Sequence, residues 1–600
     1  MGGLASAAWK RPWALLGAAV VLLAVLGAIA LGAVGSLGHG PETAGERERP
    51  ELVVVAAAPP GTGAPAYEVA VAAIVAGLRA DPTVGDVRVS EPAGEARVAA
   101  MSVSAASGDA GARHELAASL AERIDPGPLA LTVGGRTAEL REAQSLALDD
   151  LWLPLLLALP LCWAALAAVV GPRLAAGPAL CAAIAVAGAL AGMRIAGAVA
   201  DPSLLALVPA AVVGLALGIE LPALLVARWE DAVGLNEPQA ALHSTLTEGA
   251  GPIVFAAAAG ALAPAGLLAT GYGPAVAIAL GCALAAAGAA GASLLVMPPV
   301  LALSERLGRE RRDAPGDRRL AHALGAPARA LARGGRRTLA AALGALAVSL
   351  AIASPALDGA TRTLGTADLP AGSPPVRAAE LAPDAIDAAT TSTLMERLPL
   401  AAALCAGLVG LCLIARSRSA RTLPFGVLPL LPAAAACGLA VVVLDPEGWF
   451  SRLSVAGLGA VPAGAAAAGV SALVAIGSAR VAATLDASRS ERELDPGAPG
   501  VAERAGGLTL PAALASTVVC GAALVATGTI ALDAARALAV MGAGGLLLDL
   551  ILMRSPALAA AARWQAAGGV RGDRARRLRL GWPRWRRRAS EAGERTASAS

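Results

Sequence analysis

The chain predicts an all-α polytopic membrane bundle of about twelve transmembrane helices in two pseudo-repeated halves, with one small α+β domain outside the bilayer. Three observations carry this. Of 600 residues, 56% are hydrophobic and 16% charged, and the mean hydropathy is +0.65; soluble domains carry about 25% charged residues. The charges are segregated, with long uncharged runs alternating with arginine-rich ones. The order one span, outer segment, five spans occurs twice, an internal duplication of the kind found in transporters.

The elements follow in order. Residues 1–35 form a cytoplasmic N-terminus and a first span at 13–35. That run is too long for the core of an ordinary signal peptide, so an uncleaved anchor is expected. Residues 36–150 form an extracytoplasmic domain. "ELVVVAAA" (51–58) reads as a strand, 66–80 as an amphipathic helix, and "VGDVRVSE" (84–91) and "ARVAAMSVSAAS" (96–107) as two strands. A helix at 112–124, a strand at 129–135 and a helix at 136–149 complete it. The order β-α-β-β-α-β is the split βαβ, ferredoxin-like pattern.

Residues 151–303 hold five spans, at 151–171, 174–193, 203–227, 251–271 and 274–303. A basic cytoplasmic loop at 304–337 carries ten arginines against four acids, and 338–357 is the seventh span. Residues 358–397 are a shortened outer segment rich in Pro, Gly, Ala and Asp, with no convincing strand. Residues 398–560 hold the last five spans, at 398–415, 423–444, 454–478, 508–532 and 537–560, and 561–600 are a basic cytoplasmic tail. Lys10, Arg11, Arg173, Arg228, Arg416, Arg418, Arg421, Arg480, Arg489 and Arg492 all fall on one face with both termini. The excess of arginine makes that face cytoplasmic, and the expected location is a cell inner membrane.

Chemistry is sparse. All seven cysteines lie inside apolar runs, so they read as small core residues, not a disulfide framework. Four histidines without ligand spacing give no metal site, and no nucleophile elbow or phosphate loop is visible, so neither an enzyme nor a cofactor is expected. The tail 569–588 carries nine arginines with Trp582 and Trp585. Directly after a last span it reads as a contact with anionic membrane lipid, not nucleic acid.

The informative residue is Glu220, in "GLALGIELPALLVARWED" (214–231). It precedes Arg228 by eight residues, roughly 12 Å at 1.5 Å per residue, which places a carboxylate in hydrocarbon. An acid at the centre of a span costs about 2.5–3.5 kcal/mol on insertion scales. Gly214, Gly218 and Pro222 recur every fourth residue on the opposite side of the helix, as a close-packing seam with a proline kink, or a hinge. The other deep carboxylate is Asp549, about twelve residues into the last span, with Arg554 five residues on. Glu220, Asp549 and Arg554 are the candidate proton-relay residues. The alternatives are a vestigial protonated acid at Glu220 and a structural bond from Asp549 to Arg554 or to backbone.

The chain resembles the MMPL family of the resistance-nodulation-division (RND) superfamily. Gly218-Ile219-Glu220-Leu221 followed by Ala227-Arg228-Trp229 looks like that family's fourth-span motif. Residues 133–161, 413–433 and 541–564 look like its domain exit, its eighth-to-ninth turn and its last span, with Asp549, Arg554 and Pro556 where the family commonly has D, R and P. The resemblance implies proton-driven export, Asp–Tyr pairs on spans four and ten, and two porter domains. Here Glu220 replaces the Asp and Leu221 the Tyr. Matching Ala227-Arg228 to Ala479-Arg480 sets Ala472 and Leu473 opposite them, so the second motif is missing. The only tyrosines, Tyr67 and Tyr272, lie elsewhere, and the second porter domain is reduced to 358–397.

Two functions are expected. The first is an inner-membrane transporter that exports or flips a hydrophobic or lipid-like small molecule, driven by the proton-motive force through Glu220. The second is a non-transporting RND-like scaffold that has lost its relay. Either would contact membrane lipids, as a homo-oligomer or with a partner subunit supplying outer-domain surface.

Overall fold

The computed structural model of the chain describes residues 2–31, 52–58, 63–90 and 98–106, most of 116–134 and 160–167, then 172–197. With brief gaps it continues through 203–307, 383–444, 463–494, 501–527 and 533–550. Its helices, in chain order, are α1 (Gly2–Lys10), α2 (Pro12–Ala30), α3 (Ala64–Ala80), α4 (Pro172–Gly197), α5 (Leu207–Val233) and α6 (Pro238–Leu262). They continue as α7 (Ala275–Arg306), α8 (Pro383–Ser417), α9 (Leu430–Leu444), α10 (Ala463–Leu494), α11 (Val501–Thr527) and α12 (Asp533–Leu548). The strands are β1 (Leu52–Ala57), β2 (Val84–Ser90), β3 (Val98–Ala105) and β4 (Ala130–Gly134).

The strands form one sheet of order β2-β3-β1-β4, antiparallel throughout, which is the strand order of the split βαβ pattern. Strand alternation decides what it buries. Leu52, Val54 and Ala56 point to one face with Ala99, Met101 and Val103. Against them α3 lays Tyr67, Ala70, Val71, Ile74 and Leu78, a helical stripe, and Leu116, Leu120 and Ile124 add a second. Each fully buried large aliphatic side chain in this core contributes about 1.5–3 kcal/mol. Tyr67 is part of that packing.

Among the described residues, eight helical stretches are long and apolar enough to cross a membrane: Pro12–Ala30, Arg173–Gly197, Leu207–Glu230, Pro238–Thr270, Ala275–Arg306, Leu400–Ser417, Thr422–Ala440 and Ala465–Ala487. The shorter apolar helices Ala512–Val525 and Ala537–Leu548 join them. This is a multi-pass membrane protein. Of the twelve expected spans, 338–357 lies outside the described residues, as does most of 151–171. The orientation arginines in 308–337 and the tail 561–600 also lie outside them.

Three boundaries differ from expectation. The span expected at 454–478, of which 454–462 lie outside the described residues, continues to Ala487 within a helix that runs to Leu494. Ser478, Arg480 and Thr484 had lowered its apparent hydropathy, yet they are buried. Helix α8 begins at Pro383, inside the outer segment expected over 358–397. Helix α6 begins at Pro238, thirteen residues before the expected span, on a proline that suits a first turn because its missing amide is unneeded there.

Small residues bring the helices together where lipid offers no hydrophobic contrast. Ala is the commonest residue of the shared core, and helix α10 packs on α5, α6, α7, α9, α11 and α12. The α10 span is 89% buried, against 11% for α2, whose Val20, Val21 and Val25 face outward. None of the seven cysteines is bridged.

Candidate functional site

Among the described residues, four charged side chains are buried: Glu220, Arg480, Asp486 and Asp549. Three of them meet. Arg480, 1% exposed on α10, donates from Nε (2.8 Å) and Nη2 (2.6 Å) to Glu220 Oε1 on α5. Its Nη1 donates to Asp549 Oδ2, one residue beyond α12 as bounded. Nη2 also reaches Ser516 Oγ (2.8 Å) and Thr517 Oγ1 (3.2 Å) on α11, and the Ser516 hydroxyl bonds Glu220 Oε1. Four helices thus converge on one guanidinium.

Local sequence explains how each element can present its group. On α10, Ser471, Ser478 and Thr484 return their hydroxyls to carbonyls four residues back, Thr484 to that of Arg480 itself, so a polar helix stretch is satisfied in an apolar setting. On α5, Gly218 lies so close to α4 that an added Cβ would stand 2.5 Å from Ala182 Cα, and one on Gly214 would stand 3.2 Å from Val186 N. These glycines let α5 press on α4 while Glu220, on its other side, faces α10. Pro222 lies inside α5 and has no amide to bond the Gly218 carbonyl, which removes one rung of the helix one turn around Glu220.

The electrostatics are simple to count. A guanidinium does not lose its proton in a protein. With both carboxylates ionised the cluster carries one net negative charge, and with one carboxyl protonated it is neutral. A buried unpaired charge is costly, and a buried charge must be paired and hydrogen-bonded to persist.

The fourth buried charge, Asp486, lies six residues after Arg480 on α10, about 9 Å along the axis. Arg416 of α8 donates from Nε to its Oδ1 at 2.8 Å, and Arg228 Nη2 of α5 approaches its Oδ2 at 3.9 Å. Arg228 also donates to the Glu248 carbonyl of α6, and Arg416 stacks over Phe255 at 6.0 Å. Among the described contacts, Asp486 is thus met by two guanidiniums.

The sequence candidates are distributed as follows. Glu220 and Asp549 are joined through Arg480. Arg554 lies outside the described residues. Sequence reasoning read Arg480 as a cytoplasmic loop residue; it is instead the buried centre, because α10 continues past the apparent end of its apolar run. Nor does it copy its matched residue Arg228, which sits at the Asp486 cluster. The signal for Arg480 was a lone arginine between small apolar residues in "AIGSARVAATL", and that for Ser516 and Thr517 a polar pair inside an expected span.

No protein-family model matches the chain, and no curated protein matches it in sequence. Solved structures do match in fold. SecDF from Thermus thermophilus, described as a translocon-associated membrane protein, superposes with a TM-score of 0.51 at 14% identity, covering 91% of this chain and 99% of that one. SecDF in its super-membrane-facing form gives 0.51 at 13%, covering 92% of each. The chain shares the fold of these SecDF structures.

Proposed function

We propose that this chain is a secondary transporter of the RND type, of the MMPL branch, in a bacterial inner membrane. It exports or flips a hydrophobic or lipid-like molecule and is driven by protons that bind the Glu220–Arg480–Asp549 cluster. The observation that carries this reading is two buried acids sharing one buried base at the meeting of four helices. Protonation changes the charge of that cluster and so the preferred packing of α5, α10, α11 and α12. One charge moved across the membrane is worth about 2.3 kcal/mol per 100 mV, enough to bias such a change. A second reading, a translocon-associated role like that of SecDF, draws on the 99% coverage of that chain and would use the same proton site.

The test uses the full chain in lipid vesicles with the same pH on both sides. A carbodiimide that reacts with protonated carboxyls is applied from about pH 5 to 9, and adducts are located by mass spectrometry. Adduct at Glu220 or Asp549 that falls with rising pH is expected. Absent labelling, or labelling flat across the range with the site shown reachable, would overturn the proton reading.

A further inference from the structure

Three span ends each carry an arginine around Asp486. Arg228 stands two residues before the end of its span, Arg416 one before, and Arg489 two after. That is the level at which an arginine brings its charge to the lipid headgroups. The guanidinium of Arg416, 41% exposed, reaches from α8 to α6. It turns Nε inward to Asp486 Oδ1 at 2.8 Å, and its Cζ stands 6.0 Å from the centre of the Phe255 ring. Gly251, one turn earlier on α6, is exposed. The atoms nearest to where its Cβ would stand are those of the same guanidinium, from 3.5 Å outward. The glycine thus leaves an open notch, floored by α6 backbone and walled by a positive charge.

We propose that this notch seats the phosphate of an anionic phospholipid from the surrounding leaflet, held by the outer edge of Arg416. Asp486 does not use up the charge of Arg416, because Arg228 also approaches it at 3.9 Å. Arg489 adds a further positive charge, donating to the Arg416 carbonyl at 2.8 Å, and the exposed Arg418 follows in the turn. Against them stands Glu248, exposed three residues before Gly251, whose backbone carbonyl accepts from Arg228. The balance stays positive. With Nε committed to Asp486, the guanidinium keeps its Nη pair, a planar fork that suits two phosphate oxygens. Stacking on Phe255 fixes the plane of that fork before anything binds. What lies alongside points to a membrane lipid as the source. Helix α6 packs on α8, and deeper along both helices apolar side chains are exposed, Val254 and Leu262 on α6 and Leu404 and Leu411 on α8. Acyl chains cover such side chains while the headgroup stays at Arg416, an arrangement typical of basic pockets between membrane helices. A free anion would gain nothing from them. The proposal stands independently of the proton reading.

The experiment titrates the full chain in detergent with phosphatidylglycerol, phosphatidylcholine or inorganic phosphate and counts bound molecules by native mass spectrometry. The parent is expected to retain phosphatidylglycerol about fivefold more tightly than phosphatidylcholine, as one basic residue near an anionic membrane surface provides. Gly251→Leu, which fills the notch and keeps every charge, should abolish that preference, and so should Arg416→Gln. Arg306→Gln, the same charge change at the end of α7, should keep it. Equal retention of the two lipids by the parent overturns the proposal. A Gly251→Leu protein that keeps the preference, or an Arg306→Gln protein that loses it, overturns it too, since the attraction would then be the general field of the arginine-bearing end. Inorganic phosphate that displaces phosphatidylglycerol at equal concentration would make this a site for the free ion and overturn the lipid. Should Arg416→Gln fail to fold, with Asp486 short of a partner, Gly251→Leu still decides, because it leaves the ion pair in place.

Discussion

Replacing Arg480 by leucine would leave Glu220 and Asp549 buried with no cation between them. Breaking a buried ion pair from one side costs about 3–5 kcal/mol, because the remaining charge is uncompensated. The Arg480→Leu protein is expected to unfold at markedly lower temperature in lipid or detergent. Adding Glu220→Gln and Asp549→Asn should recover most of that loss, since the uncompensated charges then disappear. A triple variant no more stable than Arg480→Leu alone would show that the arginine acts through packing. At this scale the sequence exposed the acids and hid the base. A carboxylate in a strongly apolar run is conspicuous, whereas an arginine that closes an apolar run, after Ser478 and Ala479, looks like the end of a span.

Among elements, the α4–α5 seam carries the clearest prediction. A methyl group on Gly218 would meet the Ala182 backbone, which cannot swing aside as a side-chain tip can. Gly218→Ala should therefore cost about 1–3 kcal/mol, as overpacking does. Gly214→Ala, with a first contact at 3.2 Å, should cost less, and thermal unfolding of both variants compares them. The recurrence of glycine every fourth residue made the seam legible; its partner helix was not, since spacing within one helix does not name its neighbour.

The small sheet domain offers a pH test at the same scale. Asp81, ending α3, accepts bonds at Oδ1 from the Thr83 amide (2.9 Å) and hydroxyl (2.5 Å). Those bonds, then Arg123, hold its carboxyl below its usual 3.8. A group with a depressed folded pKa stabilises above its unfolded pKa and loses that contribution as pH falls through the folded value. Amide exchange in β2 should accelerate below about pH 3.8. In Asp81→Asn that acceleration should vanish, with exchange already faster at neutral pH. Identical acid behaviour in both proteins would assign the effect to other carboxyls.

For the whole molecule, the arginine asymmetry makes a topological prediction. Cysteine at Arg418, in the turn after α8, should react with a membrane-impermeant reagent only in inverted vesicles. Cysteine at Arg88, whose side chain is 83% exposed on β2, should react only in intact cells. The native cysteines, five buried and two half-buried, give little background. Both sites reacting from one side would refute the assigned orientation.

What the sequence by itself determined is the class of the molecule and the order of its parts. The apolar runs show as helices at most expected places, and the strands at 52–57, 84–90, 98–105 and 130–134 lie within the stretches read as strands. Both signals are sums over neighbouring residues, hydropathy over a span and alternation along a strand, so they survive without knowledge of the fold. Only the tertiary structure decided which charges meet. The bond from Arg480 to Glu220 joins residues 260 positions apart. Its existence depends on the rotation and depth of α5 and α10 against each other, which small residues on other faces set. A charge in lipid must find a partner, but the chain that carries it does not say which helix will supply one.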